Sequence, residues 1–191
     1  MRPEKLLEII HLAEKLKNVP RHCETSEGRT ESVAEHCWRI CLMAHFMKDE
    51  FPDVNIDKVV KMCIFHDMGE IFTGDIPAFE KNDAHEDAEA NALEAWVKSL
   101  PAPYDTELRE LYTEMAELET KEAKLYKAID NLEALIQHNE SDISTWLPLE
   151  YDLQLTYGIQ NCAFSEYTKK LRELVAQEST AKMSIDFDKH S

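Results

Sequence analysis

The chain has 191 residues, and its 38 acidic and 21 basic side chains give a formal net charge of −17 at pH 7. That charge repels a polyanion and so argues against a DNA- or RNA-binding protein, although a metal ion or one arginine can reverse the field locally for a small anionic substrate. Only 4 glycines and 7 prolines are present, too few for the many turns of a β-sandwich or β-barrel.

Apolar periodicity predicts helices through the first third of the chain. A first helix is expected over residues 3–18, followed by an irregular polar connection at 19–31. Ser32 then opens a second helix with the capping-box pattern Ser32-x-x-Glu35. After a turn near 50–55, a third helix is expected from Ile56 to about Phe72.

The rest of the chain is also helical by pattern. Further helices are expected over about 83–100, 106–118, 121–139 and 152–177, with a loop at 140–151. No stretch alternates at a period of two, so we predict an all-α fold. We expect one domain over 1–178 and a disordered tail over 179–191.

The third helix carries polar groups where its apolar face should continue. Its buried stripe runs at helical spacing into His66, Asp67 and Glu70. Placing such groups against a core costs several kcal/mol unless they are compensated. A divalent cation compensates them, because it takes imidazole nitrogen and carboxylate oxygen together. A helix end at which His66 and Asp67 simply reach solvent explains the pattern about equally well.

A second histidine adds to this cluster. His36 lies about 14 residues before the turn and His66 about 11 after it, so an antiparallel hairpin brings them to similar heights. Two histidines and Asp67 then converge, although His36 also fits an ordinary polar position in a first helical turn. Periodicity places Asp130 off the main apolar stripe of its helix, where an aspartate is more often solvated than ligating. The remaining histidines are interpreted as surface or loop residues: His11, His22, His45, His85, His138 and His190.

Cysteine usage and the N-terminus bear on location. Five cysteines, none spaced as C-x-x-C, predict a reduced cytoplasmic protein with free thiols. The first ten residues, MRPEKLLEII, lack the uninterrupted apolar segment of a signal peptide, and no run approaches a membrane span. We therefore expect no membrane association.

The assembled residues resemble the HD superfamily of metal-dependent phosphohydrolases, whose pattern is a histidine, a His-Asp pair and a distant aspartate. Here these are His36 in ESVAEH, His66-Asp67 in CIFHDMGE and Asp130 in YKAIDNLEAL. The run HDMGEIFTGDIPAFEK is similar to the 5'-deoxynucleotidase branch, in which HDxxE is followed by TGDI or a close variant. The resemblance covers roughly residues 5–140.

The resemblance implies a single HD-domain helical bundle with a metal site between its helices and a metal-binding core over about 30–140. It assigns the metal to His36, His66, Asp67 and Asp130. The cofactor would be one divalent transition metal, and the mixed nitrogen and oxygen set suits Mn, Co, Fe, Ni or Zn.

It also implies roles in catalysis and substrate binding. Glu70 would be the acid or base near the scissile phosphate, with Asp67 also in the catalytic set. Asp75 would lie near the substrate sugar and help catalysis, and Arg21 would face the phosphate. The branch commonly has a tryptophan after this arginine, whereas this chain has His22. The choice between ribose and deoxyribose, like the base preference, therefore stays open.

The implied function is metal-dependent hydrolysis of (deoxy)ribonucleoside 5'-monophosphates to nucleoside and phosphate. Two alternatives stay open: another HD activity on a nucleoside triphosphate, an alarmone or a cyclic nucleotide, and a non-catalytic helical adaptor. The branch is often dimeric, which makes a homodimer plausible. The last helix carries apolar residues over a broad arc, most of which we expect to pack within their own domain: Phe164, Tyr167, Leu171 and Leu174.

Overall fold

The computed structural model describes residues 1–77, 79–80 and 82–190, with only the backbone over 186–190. Helices dominate these residues, which confirms the predicted all-α class. The helices are α1 (Pro3–Ala13), α2 (Val33–Phe46), α3 (Ile56–Phe65), α4 (Glu70–Thr73), α5 (Asp83–Lys98), α6 (Tyr104–Glu117), α7 (Lys121–Glu140), α8 (Pro148–Thr156), α9 (Ile159–Cys162) and α10 (Glu166–His190). Within this part of the chain, no helix is long and apolar enough to cross a membrane.

The predicted irregular connection at 19–31 is instead a small β-hairpin. Strand β1 (Pro20–Glu24) pairs antiparallel with β2 (Thr30–Ser32). Gly28 adopts a left-handed φ of 74° in the turn, which a residue without a Cβ adopts at little cost. The hairpin gives this polar segment partners for its backbone groups, and it holds Arg21 and His22 in fixed positions on β1.

The core lies where α2, α3 and α7 pack together. Each contributes fully buried apolar side chains, among them Ile40, Met62 and Ile129. The predicted capping box of α2 is confirmed, since Glu35 Oε2 accepts from Ser32 N at 2.9 Å. These three helices form the frame on which the candidate site is built.

The third helix is shorter than predicted. It ends at Phe65, and a turn over 66–69 precedes the short α4. The Phe65 carbonyl accepts from the Tyr112 hydroxyl at 2.7 Å and from Met68 N at 3.2 Å, in place of the N–H of Gly69 that a continuing helix would offer. A side chain of α6 thus satisfies the carbonyl at the end of α3, and the turn that follows contains His66 and Asp67.

The tail predicted to be disordered from residue 179 is helical in its described part, so this prediction is wrong. Helix α10 continues through it, and Ser179 is fully buried. Ser179 Oγ donates to Asn139 Oδ1 at 2.8 Å, and Lys182 Nζ donates to the Asn139 carbonyl at 2.8 Å. These contacts fasten α10 to the end of α7. That residues 1–178 form a single domain stays a prediction, and residue 191 lies outside the described residues.

The helix predicted over 152–177 is divided into α8, α9 and α10. Gly158, with a left-handed φ of 73°, separates the first two. Phe164 and Leu171 pack against the core, and Tyr167 packs edge to face on Phe51 with ring centroids 6.0 Å apart, whereas Leu174 is 48% exposed. The expectation that most of these residues pack within their own domain is thus met.

Candidate active site

Four side chains predicted from the sequence converge between α2, α7 and the turn after α3. His36 Nε2 lies 3.2 Å from His66 Nε2 and 3.2 Å from Asp130 Oδ1. Asp67 Oδ2 lies 2.8 Å from His66 Nε2 and 4.0 Å from His36 Nε2. Asp130 Oδ1 is also 3.8 Å from His66 Nε2. Donor atoms of His36, His66 and Asp67 all lie within 4.8 Å of one another, and Asp130 adjoins the two imidazoles.

The hydrogen bonds of the two imidazoles explain why their Nε2 atoms face each other. His66 Nδ1 donates to the Cys63 carbonyl at 3.0 Å, and His36 Nδ1 contacts the Glu133 carboxylate. With the ring proton on Nδ1, each Nε2 carries a lone pair. Metal–ligand bonds of 2.0–2.2 Å keep ligand atoms about 3 to 4 Å apart, so the five separations given above are compatible with one cation. Two imidazoles and two carboxylates could therefore hold a divalent transition metal.

Glu133 supports this arrangement through its contact with His36, and its role was not predicted from the sequence. It is fully buried, and Arg39 Nε lies 3.2 Å from its Oε1. Burial opposes its ionisation, but His36 and the arginines outweigh burial and lower the pKa of Glu133. The one available signal was its position three residues after Asp130, on the same side of a helix.

Asp130 is part of the site despite its position off the main apolar stripe. Its Oδ2 accepts from Lys127 Nζ at 2.7 Å. Burial opposes its charge, but Lys127 and His36 hold the pKa of Asp130 well below its usual range. Ala134, one turn after Asp130 on α7, lines a cavity beside the site.

Glu70 and Asp75 line the same cavity from the segment after Asp67. Burial, together with the charges of Asp67 and Asp75, raises the pKa of Glu70 to about 9. Glu70 Oε2 is buried and has no hydrogen-bond partner among the described residues. Gly74 has φ 80° and ψ 162°, a conformation almost confined to glycine, and this turn leads the chain into Asp75. The backbone conformation of this turn therefore explains the glycine of the TGD sequence.

Arg21 reaches the cavity from β1, as predicted. Its Nε lies 3.5 Å from Glu31 Oε2, and its Nη1 lies 3.8 Å from Glu133 Oε2. Burial opposes the charge, but the two glutamates outweigh burial and raise the pKa of Arg21. Nη1 has no hydrogen-bond acceptor among the described residues, so the guanidinium keeps donor capacity for an anion in the cavity.

The cavity has a volume of about 520 Å³, and α7 forms its floor. The floor residues recur at helical spacing: Lys127, Asp130, Ala134 and His138. Since His138 follows Asp130 by eight residues, the floor extends about 12 Å beyond Asp130 at 1.5 Å per residue. The end of the cavity that contains Asp130 is called the acidic end below, and the end at His138 the distal end.

Two histidines predicted to be surface or loop residues lie at the distal end. The prediction is wrong for His138, which is only 8% exposed, and right for His22, which is exposed and also lines the cavity. Both face one carboxylate: His22 Nε2 lies 3.1 Å from Glu150 Oε1, and His138 Nε2 lies 3.3 Å from Glu150 Oε2. The rings of His22 and Phe79 pack edge to face with centroids 5.6 Å apart. Because these partners belong to separate elements, the apolar periodicity of single helices could not predict their contacts.

Comparison with known proteins gives matches over most of the chain. A family model described as "HD domain" matches residues 13–172. The human protein named 5'-deoxynucleotidase HDDC2 is 32% identical over 193 residues, which cover 97% of this chain and 92% of the human protein. The 5'-deoxynucleotidase hdd1 of Schizosaccharomyces pombe is 31% identical, over 69% of this chain and 75% of its own length.

Solved structures share the fold. A predicted metal-dependent phosphohydrolase from Magnetospirillum magnetotacticum superposes with a TM-score of 0.78 at 27% identity, over 93% of this chain and 92% of that one. The cyanophage S-2L HD phosphohydrolase DatZ, whose structure holds dA and one catalytic Zn²⁺, has a TM-score of 0.58 at 19% identity, over 94% and 96% of the two chains.

Proposed function

The chain belongs to the HD-domain family, and on that premise we propose that it is a divalent-metal-dependent 5'-nucleotidase. Its substrates would be nucleoside 5'-monophosphates, with deoxynucleotides preferred, and its products nucleoside and phosphate. The observation that carries the proposal is the convergence of four donor atoms at the acidic end of a cavity lined also by Glu70 and Arg21.

In this proposal His36, His66, Asp67 and Asp130 hold the metal, which is one of Mn, Co, Fe, Ni or Zn. When bound, the ion supplies positive charge for phosphate oxygens and lowers the pKa of a water molecule. The relatives named 5'-deoxynucleotidase support the choice of a nucleotide substrate.

The remaining residues act on the substrate itself. Arg21 presents donors from β1 and would orient the phosphate. Burial and the charges of Asp67 and Asp75 raise the pKa of Glu70 to about 9 in the metal-free chain. Its carboxyl group lies in the cavity and could give a proton to the leaving 5'-oxygen. Asp75 lies on the same wall and would contact the sugar.

A nucleotide panel tests the proposal. We expect phosphate release from dAMP and other 5'-monophosphates when Mn²⁺, Co²⁺ or another first-row divalent ion is added, and none after chelation. The panel should contain ribo- and deoxynucleotides of all bases, a nucleoside triphosphate, an alarmone and a cyclic nucleotide, with product identification. Faster turnover of one of the last three would replace the monophosphatase with another HD activity. Absence of both bound metal and turnover would favour the non-catalytic adaptor.

The proposal extends to a cytoplasmic homodimer. The five cysteines are all unpaired, which suits a reducing compartment.

Trp38, Leu42 and Phe46 follow one another by one turn on α2 and are 62%, 38% and 78% exposed, so a second copy would find an apolar stripe there. Light scattering should give twice the chain mass, and Phe46→Glu should give the mass of one chain. A wild-type protein with the mass of one chain would contradict the dimer.

A further inference from the structure

The distal end of the cavity contains a buried polar side chain that no described contact satisfies. Gln154, on α8, lines the cavity and is 1% exposed. Its Nε2 donates to the Leu135 carbonyl at 3.3 Å. Its Oε1 is buried and has no hydrogen-bond donor among the described residues. Leaving a buried acceptor unpaired costs free energy. A ligand that brings a hydrogen-bond donor to this oxygen would therefore be stabilised.

The identity of the free atom follows from the contact with Leu135. An amide turned the other way would set its oxygen against the Leu135 carbonyl, and two acceptors repel each other. The atom of Gln154 that is left without a partner is therefore its Oε1, an acceptor and not a donor. Its position is fixed from the other side as well, since its own backbone carbonyl accepts from Arg172 Nη2 at 2.9 Å.

The position of Gln154 along the floor indicates which part of a nucleotide meets it. Leu135 follows Asp130 by five residues on α7, about 7.5 Å along the axis. With the phosphate at the acidic end, the sugar comes next and the base lies farthest away. The distal end also provides the aromatic ring of Phe79 beside His22, which suits a flat ring.

We propose that the distal end is a nucleobase subsite in which Gln154 Oε1 accepts a hydrogen bond from an exocyclic amino group. This inference rests on the proposed function and adds a base preference to it. Adenine and cytosine carry such a donor, whereas hypoxanthine and uracil present an acceptor at the same position and would leave two acceptors facing each other. Amino-bearing nucleotides are therefore the better substrates.

Two matched substrate pairs test the subsite. We expect kcat/KM to be at least about tenfold higher for dAMP than for dIMP, and for dCMP than for dUMP, because each member of a pair differs from the other at that position. Equal values within each pair would overturn the inference and leave the nucleotidase standing. A loss on removing the 3'-hydroxyl, with no dAMP/dIMP difference, would place the sugar at Gln154 and would also overturn it.

Nucleoside binding separates this inference from the proposed reaction. If the protein hydrolyses no nucleotide, calorimetric titration with deoxyadenosine and deoxyinosine still compares the two bases without phosphate or metal. Tighter binding of deoxyadenosine by at least about tenfold would support the subsite, whereas equal affinities would overturn it.

Variants at two buried glutamines provide the control. Gln154→Met keeps the length and removes the acceptor, so the dAMP/dIMP ratio should fall close to one through loss of dAMP turnover. Gln137→Met removes a second buried glutamine, which donates to the Glu24 carbonyl at 2.8 Å, accepts from Arg39 Nη1 and does not line the cavity, so the dAMP/dIMP ratio should stay high even if total turnover falls. A ratio that survives in Gln154→Met, with melting temperature as the check on folding, would contradict the assignment.

Discussion

Replacement of Asp67 by alanine is expected to abolish phosphate release and to remove the bound metal. Asp67 Oδ2 lies 2.8 Å from His66 Nε2, so its loss takes one of the four donors and much of the negative charge from the proposed metal site. Since a bound metal contributes several kcal/mol to transition-state stabilisation, activity should fall by more than about a thousandfold. Elemental analysis and a phosphate-release assay measure the two effects.

The matched control for this experiment is Asp57→Ala. Asp57 lies in the first turn of α3 and is exposed, so its loss should leave metal content and activity close to wild type. A folded Asp67→Ala protein that turns over substrate while binding no metal would remove the proposed mechanism.

Glu70→Gln should separate proton transfer from metal binding. The substitution keeps the shape of the side chain but can no longer give or take a proton. General acid catalysis contributes about 10²- to 10⁴-fold, so kcat should fall by about that factor while the metal content is unchanged. Steady-state kinetics and elemental analysis of the same preparation distinguish this outcome from loss of the metal.

Glu86→Gln is the corresponding control for a carboxylate of the same cavity. Glu86 also lines it but is exposed, so we expect kcat within about twofold of wild type. Full activity of Glu70→Gln would show that its proton is dispensable, and loss of metal from that variant would make Glu70 a part of the metal site.

Local rules were sufficient for the elements that depend on neighbours in sequence. The capping box at Ser32 and Glu35 fixed the start of α2, and the rise per residue brought His36 level with His66 across the hairpin. Asp130 joins them from α7, and periodicity within one helix has no information about which helix will face it. Only the family resemblance identified it.

Other features depended on contacts between distant elements. The third helix ends at Phe65, whose carbonyl accepts a hydrogen bond from a tyrosine of α6, and the pattern of residues 56–72 gives no information about that distant partner. His138 looked like a surface residue because its partner Glu150 belongs to α8. The sequence alone therefore does not predict the contacts of buried polar groups whose partners lie far along the chain.

The floor of the cavity has a consequence for the geometry of its two ends. Lys127, Asp130, Ala134 and His138 lie on one uninterrupted helix, so the spacing of the two ends is set by a rigid rod and not by a loop. A single residue inserted between Asp130 and His138 would turn the far part of the rod by about 100° and aim His138 elsewhere. The backbone of α7 therefore sets the distance between the acidic end and the distal end of the cavity.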